Sequence, residues 1–382
     1  PAPCRPVMVA DKEEVMSTTP RFIAVLDVGK TNVKVVVHDL ETGEAVFVCT
    51  RPNAVVAAPP YPHYGVEGMW GFFLDTLREA SSSQRIDALS FTTHGATFAL
   101  LADDQLALPI LDYEFHGPDA LESDYLAARP SFAESFTPRL PGGLNAGAQI
   151  FWQARAFPDA FAKVTAILPY PQYWAFRFTG ILASERTSLG VHTDLWAPEK
   201  RGYSSFAKAE GWSRLFAPLC SAFDRLGTVK ADIAARTGLS SDTPVYCGIH
   251  DSNASLLPHL LGRQPPFTVL STGTWVIVLA VGGDASALDA RRDGLCNVDA
   301  FGNPVPSARF MGGREFDLLT GGHPQKPTQD DIRAVIDGRV MVRPTFVPGC
   351  GPFPDGKGEW STDPASLPGG VRTRKAVSRS RS

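Results

Sequence analysis

The sequence lacks any apolar run approaching the ~20 residues a bilayer-spanning helix needs. It also lacks paired cysteines. The six, Cys4, Cys49, Cys220, Cys247, Cys296 and Cys350, are scattered without a CxxC spacing, which argues against a zinc site or disulfide framework and suits a reducing cytoplasm. Positive charge is not in excess: 36 Lys and Arg stand against 40 Asp and Glu, a net charge of -4. No basic field would draw the body of the chain onto nucleic acid or an anionic membrane. The first twenty residues contain no apolar h-region, so no signal peptide is visible.

What is present is the composition of an ordinary soluble globular protein, 44% hydrophobic and 20% charged over 382 residues, long enough for two domains. Residues 1–20 read as a disordered leader and 361–382, basic and Ser-rich, as a disordered tail. A first domain is expected over 21–255 and a second over 256–360. Phe22 to Leu26, Val33 to His38 and Ala45 to Thr50 read as three strands joined by tight turns. Met69 to Ala80 carries Trp70, Phe73, Leu74 and Leu77 on one helical face. Ile86 to Thr92 is again a strand. The order β-β-β-α-β predicts a mixed sheet in an α/β domain. Ile150 to Phe157 and Tyr173 to Phe178 read as buried helices, and Trp152, Trp174, Trp196 and Trp212 as core residues. Val245 to Gly248, Thr268 to Ser271 and Trp275 to Val281 read as strands. After Gly321 clear signals thin out.

Three segments carry chemistry. In Asp27-Val28-Gly29-Lys30-Thr31-Asn32-Val33-Lys34, a P-loop is excluded. The glycine it needs five positions before Gly29 is Ala24, and Val35-Val36-Val37 opens a strand, not a helix. A strand–turn–strand phosphate loop remains, as does a plain hairpin with a charged tip. In the former, Gly29 allows close anion approach and turn amides form an anion-binding concavity. Lys30, Thr31, Asn32 and Lys34 add donors, and Asp27 could hold Mg²⁺ through water. Ser271-Thr272-Gly273-Thr274-Trp275 repeats that plan. Two such turns, one per domain, facing each other across a cleft would clamp a nucleotide's phosphates, the logic of an actin-like ATPase. The third segment is Gly248-Ile249-His250-Asp251-Ser252. It follows a strand, where open α/β sheets meet their ligands. Phosphoryl transfer to an alcohol needs a group that accepts the hydroxyl proton, and Asp251 can do this. A helix N-cap role for Asp251 is compatible. A hydrolase triad is disfavoured because no GxSxG elbow occurs.

Taken together, the three motifs in this order resemble the FGGY carbohydrate kinases, from about Arg21 to Trp360. Thr193-Asp194-Leu195-Trp196 and Arg309 to Glu315 are most similar to the rhamnulokinase and fuculokinase branch. The resemblance implies a two-domain actin-like ATPase (ribonuclease H-like) fold with a central cleft, ATP and Mg²⁺ as cofactors, and Asp251 as catalytic base. It also implies a sugar-contacting loop at Thr93-His94-Gly95-Ala96, with His250 beside it. Asp112-Tyr113-Glu114 stands where many relatives have a tryptophan and an aspartate that grip the sugar, and Gln172 stands in place of a common aspartate. Tyr113 and Glu114 therefore bear on substrate choice. Family members are longer, so the second domain is expected to be incomplete. The expected activity is phosphorylation of a ketose of rhamnulose, fuculose, xylulose or ribulose type, in the cytoplasm, by a chain for which a homodimer is admissible. Two alternatives remain: a remnant that binds sugar without turnover, and a different actin-like ATPase.

Overall fold

A computed structural model describes residues 20–273, 275–321 and 326–362. The expected leader, apart from Pro20, and the expected tail, apart from Ser361 and Thr362, lie outside the described residues, as does Thr274. The chain divides into two units. The first comprises Pro1–Ser135, Arg139–Gly262 and Asn297–Pro304, the second Phe136–Pro138, Arg263–Cys296 and Val305–Ser382. The main division falls at Gly262/Arg263 and not at 255/256, because the helix Asp251–Gly262 continues unbroken through position 255.

In the first unit, β1 (Phe22–Val28), β2 (Asn32–Asp39) and β3 (Glu44–Pro52) form an antiparallel meander. Alternation sets its inner face. Ala24, Leu26 and Val28 of β1 and Val33, Val35 and Val37 of β2 are fully buried, as expected when every second side chain of a strand faces the core. Helix α1 (Val66–Ser83) buries Met69, Phe73, Leu74, Leu77 and Ala80 at helical spacing. Strand β4 (Ala88–Thr93) then returns parallel to β1, with Asp27 opposite Thr92 and Val28 opposite Thr93. Further along, β5 (Phe98–Ala102) pairs antiparallel with β6 (Ala166–Pro169), on either side of α2 (Ala146–Ala156) in sequence. Helix α3 (Tyr170–Thr179) ends on the left-handed Gly180 and buries Trp174, whose ring meets Phe73 edge-on at 5.0 Å. Trp196 and Trp212 are buried, whereas Trp152 is half-buried, packed against Tyr61, Phe115 and Phe157.

The unit closes with β7 (Arg225–Thr228), α4 (Ala231–Thr237), β8 (Pro244–Tyr246), β9 (Ile249–His250) and α5 (Asp251–Gly262). Its main sheet runs β7-β8-β4-β1-β2-β3, with β9 also against β4. The strand expected over Val245 to Gly248 stops at Tyr246. Gly248 takes φ +83° and passes so close to β4 that an added Cβ would lie 2.7 Å from the Phe91 carbonyl oxygen, a conformation and approach that favour glycine. After this break β9 sets His250 opposite Thr93. The end of β4 is thus flanked by Val28 on one side and His250 on the other.

Four strands that lie wholly or mostly in the second unit, β10 (Phe267–Thr272), β11 (Val276–Val281), β12 (Gly294–Val298) and β13 (Pro304–Phe310), pair in the order β10-β11-β13-β12. Helices α6 (Gly312–Thr320) and α7 (Gln329–Asp337) follow. The sequence reading missed α7. Its start is marked by a reciprocal capping box between Thr328 and Asp331, a signal readable as Thr-x-x-Asp before Ile332, Val335 and Ile336.

Candidate active site

The β1–β2 turn is closed by Gly29 N–H donating to the Asn32 carbonyl at 2.9 Å. Asn53 braces it from β3's far end, donating through Nδ2 to the Gly29 carbonyl at 2.8 Å and through its backbone N–H to the Thr31 carbonyl at 2.9 Å. Gly29 does not take a positive φ. Its constraint is the Asn32 carbonyl, 3.1 Å from where a Cβ would sit. At the base of the turn, Lys34 Nζ lies 3.4 Å from Asp27 Oδ2, as their cross-strand register requires. Lys30 points elsewhere. Its Nζ hydrogen-bonds Asp112 Oδ1, lies 3.1 Å from Glu114 Oε2 and sits over the faces of Tyr113 (4.6 Å) and Tyr64 (5.5 Å).

Beyond β4 the chain turns through His94, Gly95 and Ala96. His94 N–H donates to the Val28 carbonyl at 2.9 Å, tying this loop to the end of β1. Ala96 takes φ +53°, and its carbonyl accepts from Gln149 Nε2 at 2.6 Å. A non-glycine residue held at positive φ by a buried partner is over-determined by its surroundings. The His94 ring is buried among Tyr64, Tyr113 and Tyr170, with centroids 5.1–5.3 Å away. Burial pulls its pKa down to about 4, so the ring is neutral near pH 7.

Asp251 opens α5 directly after β9. Its Oδ1 accepts from Ser252 N–H at 2.6 Å and Ser252 Oγ at 3.3 Å, and His250 Nε2 lies 3.3 Å away. Burial holds the His250 pKa below its ordinary value. Asn253 Nδ2 faces His250 Nδ1 at 3.4 Å. With Nδ1 accepting from that amide, the neutral ring keeps its proton on Nε2, the nitrogen nearest Asp251 Oδ1. Gly95 makes room for this ring, since a Cβ there would lie 2.6 Å from His250 Nε2. Behind the ring, His250 N–H donates to Thr187 Oγ1 at 3.1 Å, and Thr187 donates in turn to the fully buried Glu185.

The groups at this end of the sheet influence one another. Burial, and then the negative charge of Asp251, push the Asp27 carboxyl above its ordinary pKa against the opposing pull of Lys34. Asp251 also acts on Tyr113 and His94. The structure therefore gathers Asp27, Lys34, His94, Tyr113, His250 and Asp251 at one edge, with Lys30 and Glu114 reached through Tyr113. In the second unit, Ser271 and Thr272 end β10 and Gly273 follows in the turn. Thr272 is opposite Val276 across the turn, and Gly273 N–H donates to the Trp275 carbonyl at 3.0 Å.

The comparison with known proteins decides the family. A carbohydrate kinase from Novosphingobium aromaticivorans of known structure is 38% identical, with a TM-score of 0.86, over 94% of this chain and 79% of that one. The chain belongs to the FGGY carbohydrate kinases. The family description "Carbohydrate kinase FGGY, C-terminal domain" matches residues 264–378. An L-fuculokinase of Salmonella typhi is 25% identical over 338 residues, 84% of this chain and 71% of that protein. The fold alone is shared with Plasmodium falciparum glycerol kinase, solved with ADP, at a TM-score of 0.74 and 12% identity, over 94% and 76% of the two chains.

This carbohydrate kinase is thus an α/β protein of the actin-like ATPase fold and a phosphotransferase. The alternative of a different actin-like ATPase is set aside by that match. Several residues of this candidate site escaped the sequence reading. Asn53, Tyr64, Glu185 and Thr187 sit in no motif. Asn253, two residues past Asp251, was read without a role.

Proposed function

We propose that the kinase transfers the terminal phosphoryl group of ATP to a hydroxyl of a small, uncharged ketose or polyol, with Asp251 as the general base. The observation that carries this reading is the fixed carboxylate of Asp251. Three contacts fall on Oδ1, while among the described residues Oδ2 accepts no hydrogen bond. An acceptor hydroxyl bound at Oδ2 would hand over its proton as its oxygen attacks phosphorus. His250 and Asn253 orient the base. His94, Gly95, Ala96, Tyr113 and Glu114 form the acceptor wall, in which Gly95 and Ala96 set the backbone path.

Charge favours a neutral acceptor. Four carboxylates, Asp27, Asp112, Glu114 and Asp251, face two lysines, and burial keeps His94 and His250 neutral. An anionic sugar acid would enter a field of its own sign.

Phosphate contacts fall to the turn amides of Gly29–Asn32, the Thr31 hydroxyl and Lys34. In the second unit they fall to Ser271, Thr272 and Gly273, with Thr274 assigned by the motif alone. Asp27 suits Mg²⁺: its pKa is raised by burial and by a like charge, a situation that a hard cation relieves. Among the described residues no cluster of three His, Cys, Asp or Glu could cage a metal. Magnesium characteristically keeps waters and binds through one or two carboxylates plus substrate phosphates, where it would neutralise charge on the transferring group. Five free cysteines among the described residues support a reducing compartment such as the cytoplasm.

The test is a coupled ADP-release assay over ketoses, polyols and sugar acids. An uncharged sugar should stimulate release, and Asp251→Ala should lower turnover ~10³-fold while sugar affinity changes only a few-fold. Unchanged turnover in that variant removes the mechanism. Sugar-induced thermal stabilisation without any ADP release would instead favour a sugar-binding protein that does not turn over.

A further inference from the structure

Lys30 belongs by sequence to the phosphate turn, but its side chain is engaged with the acceptor loop. Its ammonium group lies between two carboxylates and two aromatic faces, those of Asp112, Glu114, Tyr113 and Tyr64. Asp112 Oδ1 is shared further. It accepts from Glu114 N–H at 3.2 Å and from the Tyr64 hydroxyl at 3.4 Å. Both partners of the main pair are largely withdrawn from solvent, with side chains 21% exposed for Lys30 and 10% for Asp112. Lys34 provides the contrast: it is 43% exposed and has one longer ion pair, to Asp27.

We propose that Lys30 is a positioning residue for the acceptor loop Asp112–His116, and that it serves the sugar side of the reaction and not the phosphates. This rests on the kinase reading above. To reach a phosphate, Lys30 would leave two carboxylates and two ring faces. Asp112 would remain buried with its charge uncompensated, the expensive half of breaking a buried pair. A cation held over aromatic faces away from water is stabilised beyond its ion pair alone. The clamp has a direct geometric consequence. It fixes Tyr113, whose ring meets His94 edge-on at 5.3 Å, and His94 and Tyr113 both feel the charge of Asp251. Lys30 thus sets the wall against which an acceptor hydroxyl is presented to the base. It also offsets the charge of Asp112 and Glu114, leaving them as acceptors for sugar hydroxyls.

The experiment uses the full chain as Lys30→Met, Lys30→Arg and Glu114→Gln. Amide hydrogen exchange over residues 112–116 and calorimetric binding of MgADP are read in each, with no sugar present. In Lys30→Met, exchange of these amides should rise at least tenfold, while ADP affinity stays within threefold of the parent. Glu114→Gln should give a smaller rise in the same segment, and Lys30→Arg should restore protection. Once the acceptor is found, the KM for sugar should rise in Lys30→Met with the KM for ATP unchanged. A tenfold loss of ADP affinity in Lys30→Met makes Lys30 a phosphate ligand and overturns the proposal. Unchanged exchange in a folded variant also overturns it. Should Lys30→Met fail to fold, Glu114→Gln decides by the same two readouts. Failure of every sugar to be phosphorylated would count against the kinase mechanism and leave both measurements intact.

Discussion

The two glycine turns share a local plan and differ in almost everything around them. In the first unit β1 and β2 each bury three side chains completely, and α1 packs against β2. In the second unit the matching strand β10 leaves Leu270 63% exposed. Ile336 of α7 is exposed to 67% and Met341 to 57%. A strand–turn–strand that presents amides and hydroxyls can be written into about ten residues. The rigidity of that turn comes from what packs on the strands, and this is a property of distant sequence. The first turn is therefore held by a buried core, and the second by its hairpin and by β13, which pairs Phe310 with Val276 and sets Arg309 over Trp275.

The largest test of this contrast is a pair of truncations. Phe73 is fully buried against Trp174, so Phe73→Ala should cost about 3–5 kcal/mol. Leu270→Ala, on the exposed face of β10, should cost less than about 0.5 kcal/mol. Urea denaturation reads both. Equal losses would mean that Leu270 is covered in solution, and the contrast between the units would fail.

A second test uses protons. The first unit contains buried carboxyl and imidazole groups, whereas in the second the exposed Asp284 and the half-buried Asp289 are held low by hydrogen bonds from Ser286 and Arg291. Burial pushes the Glu185 carboxyl up to about 7, against the opposing pull of its bonds from Thr187. The folded state therefore holds this proton more tightly than the unfolded chain. The resulting stabilisation is complete below the unfolded pKa of about 4.5 and is lost as pH rises through about 7, up to about 3 kcal/mol in all. His94, lowered to about 4, acts in the opposite sense. Its contribution is present above about 6.5 and is lost as pH falls through about 4. In the parent the two slopes oppose each other between these limits. Glu185→Gln removes one of them, so the stability of the variant relative to the parent should climb between pH 5 and pH 8 in chemical denaturation. Parallel profiles would show that Glu185 does not titrate in this range.

Legibility in the sequence followed the range of the interactions. The meander, α1 and β4 were readable because side-chain alternation and helical spacing are local, and these elements set the Asp27–Lys34 register by themselves. His250 and Asp251 were readable as a strand end followed by a helix. The break at Gly248 was not, since it is imposed by the close approach to Phe91. Lys30 could be recognised as a charged turn residue, but its main partner lies 82 positions away. Thr187, which receives the His250 N–H, lies 63 positions away. Gly29 was expected to serve turn geometry. Its φ is an ordinary one, and what limits it is the nearby Asn32 carbonyl. The capping box of α7 was local and was overlooked.

The smallest expected effects come from a matched pair of glycine substitutions. A Cβ on Gly95 would lie 2.6 Å from His250 Nε2 and 3.2 Å from a Val191 methyl. The His250 ring is enclosed by Asn253 and Asp251 and cannot retreat without moving the base. Gly95→Ala should therefore cost about 1–3 kcal/mol through overpacking and depress turnover. A Cβ on Gly273 would meet nothing closer than the Trp275 carbonyl at 3.7 Å, and its φ is not in the left-handed region. Gly273→Ala should leave thermal stability within about 0.5 kcal/mol of the parent, because a surface position with ordinary torsions has nothing to strain. If the second turn nonetheless receives phosphate, the added methyl will occupy the surface the anion approaches. MgADP affinity should then fall severalfold in Gly273→Ala with the melting curve unmoved. Unchanged affinity and unchanged stability together would leave the second turn a simple hairpin, and the likeness between the two turns would be one of sequence only.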